Sequence, residues 1–156
     1  MKIELKPSAT PVPDALRTER VAVPGFGKYY TDNMVVANWS EATGWSDAQL
    51  VPYAPITLDP ATAVFHYGQE IFEGLKAYRQ ADGGVSLFRP EENGARFARS
   101  AKRMALPELP VEDFVATVEA LVKQDAGWVP NNPGESLYIR PFMIASEVGL
   151  GVRPSN

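Results

Sequence analysis

Residues 65–78, with the sequence FHYGQEIFEGLKAY, decide the fold that we predict. The end of this stretch begins a pair of strand-favouring segments, residues 75–79 and 85–89, separated by a polar turn that contains Gly83 and Gly84. Strand-favouring residues on both sides of a glycine-containing turn are typical of a β-hairpin. We therefore predict a hairpin here and build the rest of the domain around it.

The start of the stretch has two interpretations. Gly68 and Gly74 permit close backbone approach or unusual backbone angles, and Tyr67 and Phe72 can form an apolar wall that carries one hydroxyl. A pocket for a small ligand is one possibility. The other, which composition alone favours, is a glycine-containing turn that leads into the hairpin.

Three ionisable side chains in the stretch resemble catalytic groups. Glu70 and Glu73 resemble an acid pair, and Lys76 resembles a Schiff-base nucleophile. None of them has an evident partner in the sequence that would activate it, and such side chains near the start of a strand usually face water. We therefore predict no catalytic role for them.

Two helices follow the hairpin. Pro90 begins the first, which has an acidic opening turn and a basic segment at residues 96–103, as suits the helix dipole. The second begins near Val111, has apolar residues at helical spacing and ends at Gly127. Each helix must bury its apolar stripe against another element, so we expect both helices on one face of the sheet.

The remaining segments complete a mainly antiparallel sheet. Residues 28–39 favour a strand interrupted by a polar turn, and residues 137–145 favour a buried strand. Four prolines among polar residues predict an irregular N-terminal arm over residues 1–25. The order of strand, hairpin, two helices and strand indicates a small α+β domain over residues 26–156.

Composition argues against several kinds of site. The 156 residues include no cysteine and one histidine, His66, so we expect no disulfide, thiolate nucleophile or metal site. A net charge of −4 with mixed signs argues against a nucleic-acid surface. The apolar runs are far shorter than the roughly 20 residues that cross a bilayer, and the N-terminus lacks a secretory pattern, so we expect a cytoplasmic protein without a membrane partner.

Two pairs of polar residues can bind an anion. Arg96 and Arg99 share one face of the first helix and can offer guanidinium donors to a phosphate, although a solvated basic face is the simpler explanation. Tyr138 and Arg140 lie two residues apart in a strand, so a hydroxyl and a guanidinium can converge on one anion. An internal salt bridge is the competing explanation for Arg140. The residues alone support only a domain that binds a small anionic, partly apolar molecule.

At these places the chain resembles the branched-chain aminotransferases of the fold-type IV pyridoxal-phosphate family. The resemblance runs in the family's order and spacing from Phe26 to the last residue, and it implies the small N-terminal domain of such an enzyme. It is carried by Phe26-Gly27, Tyr30-Thr31-Asp32-Asn33-Met34, Phe65-His66-Tyr67-Gly68, Phe72-Glu73-Gly74-Leu75-Lys76-Ala77-Tyr78, Leu87-Phe88-Arg89-Pro90, residues 93–103, Leu137-Tyr138-Ile139-Arg140-Pro141 and Gly149-Leu150-Gly151-Val152.

The resemblance implies a homodimeric enzyme, and we expect a role in branched-chain amino-acid biosynthesis. Such an enzyme uses pyridoxal 5'-phosphate to transfer an amino group between leucine, isoleucine or valine and 2-oxoglutarate. By position, Arg96 would bind the cofactor phosphate, and Tyr138 and Arg140 would meet the distal carboxylate of glutamate. The resemblance implies that five residues surround the branched side chain: Phe26, Tyr67, Phe72, Leu150 and Val152. Leu150 and Val152 belong to a loop that completes the pocket across the dimer.

The family's Schiff-base lysine and C-terminal domain have no counterpart among these residues. In the family's order that lysine lies beyond Asn156, and Lys76 matches a different position, so the resemblance implies a fragment that is inactive alone. Two alternatives stay open. One is another fold-type IV enzyme, such as a D-amino-acid aminotransferase or an aminodeoxychorismate lyase, and the other is a non-catalytic anion-binding domain.

Overall fold

The computed structural model describes residues 1–155 and has the predicted α+β class, with small, mainly antiparallel sheets. In chain order its elements are β1 (Ile3–Leu5), α1 (Asp14–Ala22), β2 (Asn33–Val36), β3 (Trp39–Ser40), β4 (Gly44–Trp45), β5 (Ala48–Pro52), α2 (Ala63–Tyr67), β6 (Glu70–Phe72), β7 (Leu75–Arg79), β8 (Val85–Leu87), α3 (Pro90–Arg103), α4 (Val111–Gln124), a 3₁₀ turn (Ala126–Trp128), β9 (Leu137–Ile139) and β10 (Phe142–Ile144). Among the described residues, no helix is long and apolar enough to span a membrane.

The predicted hairpin is confirmed and lies at the centre of the fold. Strands β7 and β8 pair antiparallel, and the N–H of Gln80 donates to the carbonyl of Gly84 at 2.9 Å to close the turn. On its other edge β7 pairs with β9, where Leu75 lies opposite Ile139. Strand β7 therefore lies between β8 and β9, and β9 comes from the part of the chain that follows α4.

The strand predicted over residues 137–145 is interrupted at Arg140 and Pro141. Strand β9 pairs with β7, whereas β10 pairs with β6, where Phe142 lies opposite Phe72. Both pairings have the same register, so β6 and β7 continue one another opposite β9 and β10 in one antiparallel ladder. The ladder is broken at residues 73–74 on one side and at residues 140–141 on the other. Proline lacks the N–H that a ladder requires, which explains why the break falls here.

The apolar core lies between this ladder and helices α3 and α4. The helices approach closely because Gly94 has no side chain: a Cβ there would lie 3.1 Å from Val111 and 3.2 Å from Phe114. The rings of Phe97 and Phe114 pack with centroids 5.4 Å apart. Full burial of such a side chain stabilises the fold by about 1.5–3 kcal/mol. Other buried members of this core are Ile71, Leu75, Ala77, Ala101, Val118, Val122 and Ile139.

Three local predictions are wrong. Residues 1–25 are not irregular, because they include β1, which pairs in parallel with β5, and helix α1. Their prolines lie outside α1, and Pro13 stands just before its first turn, where no helical hydrogen bond is lost. Within residues 28–39 only β2 and the start of β3 are strand. Helix α4 ends at Gln124, and a 3₁₀ turn replaces its predicted last residues.

A buried polar cluster explains why the polar turn expected within residues 28–39 does not form. The side chain and the N–H of Asn33 donate to the Asp125 carboxylate at 2.6 and 3.0 Å, and both residues are 4% exposed. The Asn33 amide oxygen accepts from the N–H of Ser8, and the Asp32 carboxylate accepts from the indole of Trp128, each at 2.7 Å. These side chains join the N-terminal segment, β2 and the end of α4 instead of making local turn bonds.

Asp125→Ala is expected to lower the free energy of unfolding by about 2–3 kcal/mol, because it leaves two buried donors of Asn33 without an acceptor. The matched control is Asp14→Ala, which removes an exposed ion pair with Arg17 and should change stability by less than about 0.5 kcal/mol. Urea denaturation of both variants measures the difference. Equal losses would show that the buried cluster contributes no more than a surface pair.

Candidate functional site

The exposed face of the ladder brings together four residues that the resemblance assigns to substrate binding. Phe72, Tyr138 and Arg140 project from this face because side chains alternate along strands. The Arg140 guanidinium donates to the Tyr138 hydroxyl, at 3.2 Å from Nε and 3.0 Å from Nη2, and lies 4.4 Å from the centre of the Phe72 ring. The ring of Phe26 meets that of Tyr138 edge-on at 5.2 Å. We call these four residues the aromatic–arginine cluster.

Arg140 is exposed, which corrects the expectation that it is buried in a strand. Within residues 1–155 it takes part in no ion pair, so the internal salt bridge that competes as an explanation does not form among these residues. The Tyr138 hydroxyl and the face of the Phe72 ring hold the guanidinium instead. Its charge is therefore accessible to an incoming carboxylate.

Gly74 makes room for the Tyr138 hydroxyl. A Cβ at this position would overlap the hydroxyl oxygen and lie 2.9 Å from Cζ of the same ring. Any side chain at Gly74 would therefore displace Tyr138 and weaken its contact with Arg140. The close approach that the sequence allowed at Gly74 is confirmed.

Tyr67, Leu150 and Val152 form a second group. Gly68 ends α2 in the left-handed conformation, with φ 58°, and turns the chain directly after Tyr67. The Tyr67 hydroxyl accepts a 2.5 Å hydrogen bond from the N–H of Gly151, so Tyr67 lies beside the loop that contains Leu150 and Val152. Leu150 and Val152 are 69% and 86% exposed. Among the described residues no hydrogen bond or ring contact joins this group to the aromatic–arginine cluster.

A shallow groove of about 590 Å³ separates β6 from α3. Its basic side chains are Arg96, Arg99 and Arg103, which share one helix face because they are three and four residues apart. Glu70 and Phe72 line the side formed by β6, so the groove adjoins the aromatic–arginine cluster. Its excess of positive charge suits a small anion.

Glu73 is a buried ionisable side chain next to this groove. Its side chain is 3% exposed, and its two oxygens accept from Nε and Nη2 of Arg96 at 2.5 and 2.8 Å. The side chain of Asn93 and the N–H of Gly74 also donate to it, at 2.9 and 3.2 Å. Burial raises the pKa of the Glu73 carboxyl, but the hydrogen bonds from Arg96, Asn93 and Gly74 outweigh burial and hold that pKa below its usual value. Glu73 is therefore ionised at neutral pH.

The burial of Glu73 and its hydrogen bonds with Arg96, Asn93 and Gly74 show that the prediction of a solvated side chain without a partner is wrong. Glu70 and Lys76 are exposed, as predicted. A signal in the sequence distinguishes Glu73 from them: Ile71, Glu73 and Leu75 occupy alternate positions, so Glu73 falls on the buried face of the strand. A carboxylate on a buried face needs a charged or hydrogen-bonding partner, and the helix that follows is rich in arginine.

Relatives of the chain are found among aminotransferases. A probable branched-chain-amino-acid aminotransferase of Streptomyces coelicolor is 63% identical over 155 residues, which cover 99% of this chain and 43% of the relative. The branched-chain-amino-acid aminotransferase of Mycolicibacterium smegmatis is 55% identical over 157 residues, which cover 100% of this chain and 43% of the relative. Over nearly its whole length the chain is thus similar to branched-chain-amino-acid aminotransferases.

Solved branched-chain-amino-acid aminotransferases share its fold. The T.th. enzyme with pyridoxamine 5'-phosphate is 26% identical and has a TM-score of 0.62, over 82% of this chain and 37% of that chain. The same enzyme complexed with N-(5'-phosphopyridoxyl)-L-glutamate is 29% identical and has a TM-score of 0.57, over 69% of this chain and 35% of that chain. These likenesses confirm the resemblance and the fold class. No protein-family model matches the chain.

The chain spans about 43% of the length of the two relatives and corresponds to the N-terminal portion of branched-chain-amino-acid aminotransferases. Similarity at this level concerns the chain as a whole and tests no single side chain. The binding roles expected of Arg96, the aromatic–arginine cluster and the Tyr67 group therefore stay predictions.

Glu73→Gln is expected to lower the free energy of unfolding at pH 7 by about 1–3 kcal/mol, because a glutamine amide cannot accept both hydrogen bonds from Arg96. A carboxyl whose pKa is lower in the folded state stabilises the protein above its unfolded pKa of about 4.3, and this contribution is lost as the pH falls through the folded pKa. The difference from wild type should therefore be full above about pH 5 and shrink in more acidic solution.

Urea denaturation at a series of pH values measures this difference. Glu70→Gln, which alters an exposed carboxylate at the start of β6, is the control and should change stability little at every pH. A deficit of Glu73→Gln that does not depend on pH would contradict a role for the ionised carboxylate.

Proposed function

We propose that the protein is a pyridoxal-phosphate-dependent aminotransferase that moves an amino group between leucine, isoleucine or valine and 2-oxoglutarate. The observation that carries this proposal is the aromatic–arginine cluster. It places aromatic rings beside a guanidinium and a hydroxyl that water can reach. The names of the relatives at 63% and 55% identity support the same activity.

Such a cluster suits both kinds of substrate in turn. A branched side chain is stabilised against the rings of Phe26 and Phe72 by about 25 cal/mol for each Å² of apolar surface removed from water. The distal carboxylate of glutamate or 2-oxoglutarate can accept hydrogen bonds from Arg140. It can also accept a hydrogen bond from the Tyr138 hydroxyl, because the Tyr138 oxygen accepts from Arg140 and leaves its O–H free to donate.

The basic groove on α3 fits the phosphate of pyridoxal 5'-phosphate. Arg96, Arg99 and Arg103 line it, and guanidinium groups bind phosphate with several parallel hydrogen bonds. Similar structures that hold phosphopyridoxyl-glutamate or pyridoxamine 5'-phosphate support this cofactor. When bound, the cofactor supplies the electron sink for transamination. Arg96 would hold its phosphate, while Phe72, at the border between groove and cluster, would contact the substrate.

We also propose that the enzyme is a homodimer in which Leu150 and Val152 complete the pocket of the other subunit. The exposure of both side chains supports this arrangement, since no residue between 1 and 155 buries them. The hydrogen bond from Gly151 to Tyr67 holds the loop in position for such a contact. A cytoplasmic location and a role in branched-chain amino-acid biosynthesis belong to the same proposal.

The Schiff-base lysine is expected outside these 156 residues. Lys76 is exposed on β7, opposite Tyr138 in the ladder. By the resemblance it matches a family position other than that of the cofactor lysine. The chain by itself is therefore expected to be inactive. The names of the relatives do not favour a D-amino-acid aminotransferase, an aminodeoxychorismate lyase or a non-catalytic anion-binding domain.

Borohydride reduction of the protein at its natural length, after incubation with pyridoxal 5'-phosphate, should label one lysine that lies outside residues 1–156. Peptide mapping identifies the labelled residue, and Lys76→Ala should leave the yield of labelling unchanged. A stoichiometric adduct at Lys76 would overturn the position assigned to the cofactor. Absence of any adduct in the natural-length protein would favour the anion-binding domain.

Tyr138→Phe should raise the KM for 2-oxoglutarate about tenfold, the effect of losing one hydrogen bond to a charged group worth about 1.4 kcal/mol. The KM for leucine should change little, because leucine has no distal carboxylate. Steady-state transamination by the natural-length protein measures both values. Tyr53→Phe, which alters a ring stacked on Tyr30 and in no ring contact with the residues of the cluster among those described, is the control. An equal rise for both substrates would contradict the role given to the Tyr138 hydroxyl.

A further inference from the structure

The contacts of Arg96 divide its guanidinium into two edges. Nε and Nη2 donate to the buried Glu73 carboxylate, whereas Nη1 has no hydrogen-bond partner among the described residues. The Arg96 side chain is 59% exposed and lines the groove beside Arg99 and Arg103. One edge is thus held by the protein, and the other is open to a ligand in the groove.

An arginine side chain has several rotatable bonds, and fixing them on binding reduces affinity. Glu73 removes most of that freedom before any ligand arrives, because two parallel hydrogen bonds set both the position and the plane of the guanidinium. Glu73 is itself fixed by Asn93 and by the N–H of Gly74. The orientation of Arg96 is therefore set by Glu73 together with Asn93 and the backbone N–H of Gly74.

The negative charge of Glu73 does not cancel the attraction of the groove for an anion. Arg96 keeps three of its five N–H donors after pairing with Glu73. Arg99 and Arg103 line the same groove and form no ion pair within residues 1–155. Arg96 lines the groove, whereas Glu73 is 3% exposed and is not among the lining residues, so an anion in the groove meets the cation first.

We propose that Glu73 is a positioning residue for the cofactor phosphate, which it serves by holding Arg96 with its Nη1 edge directed to the groove. This inference rests on the proposed function, since it takes the ligand of the groove to be the phosphate of pyridoxal 5'-phosphate. Glu73 itself touches neither cofactor nor substrate. Asn93 supports it from the first turns of α3.

The test compares pyridoxal 5'-phosphate with pyridoxal, which lacks the phosphate, in titrations of the cofactor-free protein at its natural length. Glu73→Gln should weaken binding of pyridoxal 5'-phosphate about tenfold and leave binding of pyridoxal unchanged. In the Arg96→Ala background, Glu73→Gln should cause no further loss, because the two residues act as one unit. The control is Glu92→Gln, which alters an exposed carboxylate of the same helix paired with Arg89 and should bind both ligands as wild type does.

Glu73→Asp provides a second variant if Glu73→Gln does not fold. It keeps the buried charge but is one methylene shorter, so it should lose the paired hydrogen bonds with Arg96. Binding of pyridoxal 5'-phosphate should then weaken while binding of pyridoxal stays unchanged. Equal weakening of the binding of both ligands would overturn the inference. If the wild type prefers pyridoxal 5'-phosphate over pyridoxal, unchanged binding of pyridoxal 5'-phosphate by the variants would also overturn it. A wild type that does not prefer pyridoxal 5'-phosphate would instead overturn the proposed phosphate site and the inference with it.

Discussion

The buried carboxylate of Glu73 is the constraint on which the site depends. Because an unpaired carboxylate is costly to bury, its two hydrogen bonds from Arg96 fix α3 against the end of β6. The N–H of Glu73 donates to the carbonyl of Pro141 at 2.8 Å, so the same residue spans the break in the ladder. Asn93 donates both to the carboxylate and to the carbonyl of Gly74, which closes the network.

The ladder keeps one buried and one exposed face because its register is the same on both sides of the break. The buried face packs against α3 and α4, and the exposed face presents Phe72, Tyr138 and Arg140. At the break Gly74 leaves the exposed face without a side chain, and the Tyr138 hydroxyl occupies that space. Packing and the proposed binding therefore use opposite sides of the same strands, and a shift of one residue in register would lose both.

Two arginines of the site are held in different ways. Arg96 is paired with a buried carboxylate and is fixed before a ligand arrives. Arg140 stays exposed against an aromatic ring and a hydroxyl, so a carboxylate can approach it or leave it without breaking an ion pair. Under the proposed function, the fixed arginine suits a cofactor that remains bound. The accessible one suits substrates of which only some carry a second carboxylate.

The sequence by itself determined the hairpin, the two long helices and the shared face of Tyr138 and Arg140, because these depend on local periodicity and turn chemistry. The order of its motifs also indicated the family. Only the tertiary structure decided the partner of Glu73, the break at Pro141 and the burial of Asn33. Asn33 and Asp125 are 92 residues apart, and Glu73 and Arg96 are 23 apart. A local pattern can place a polar side chain on a buried face, but its partner is set by how distant segments pack.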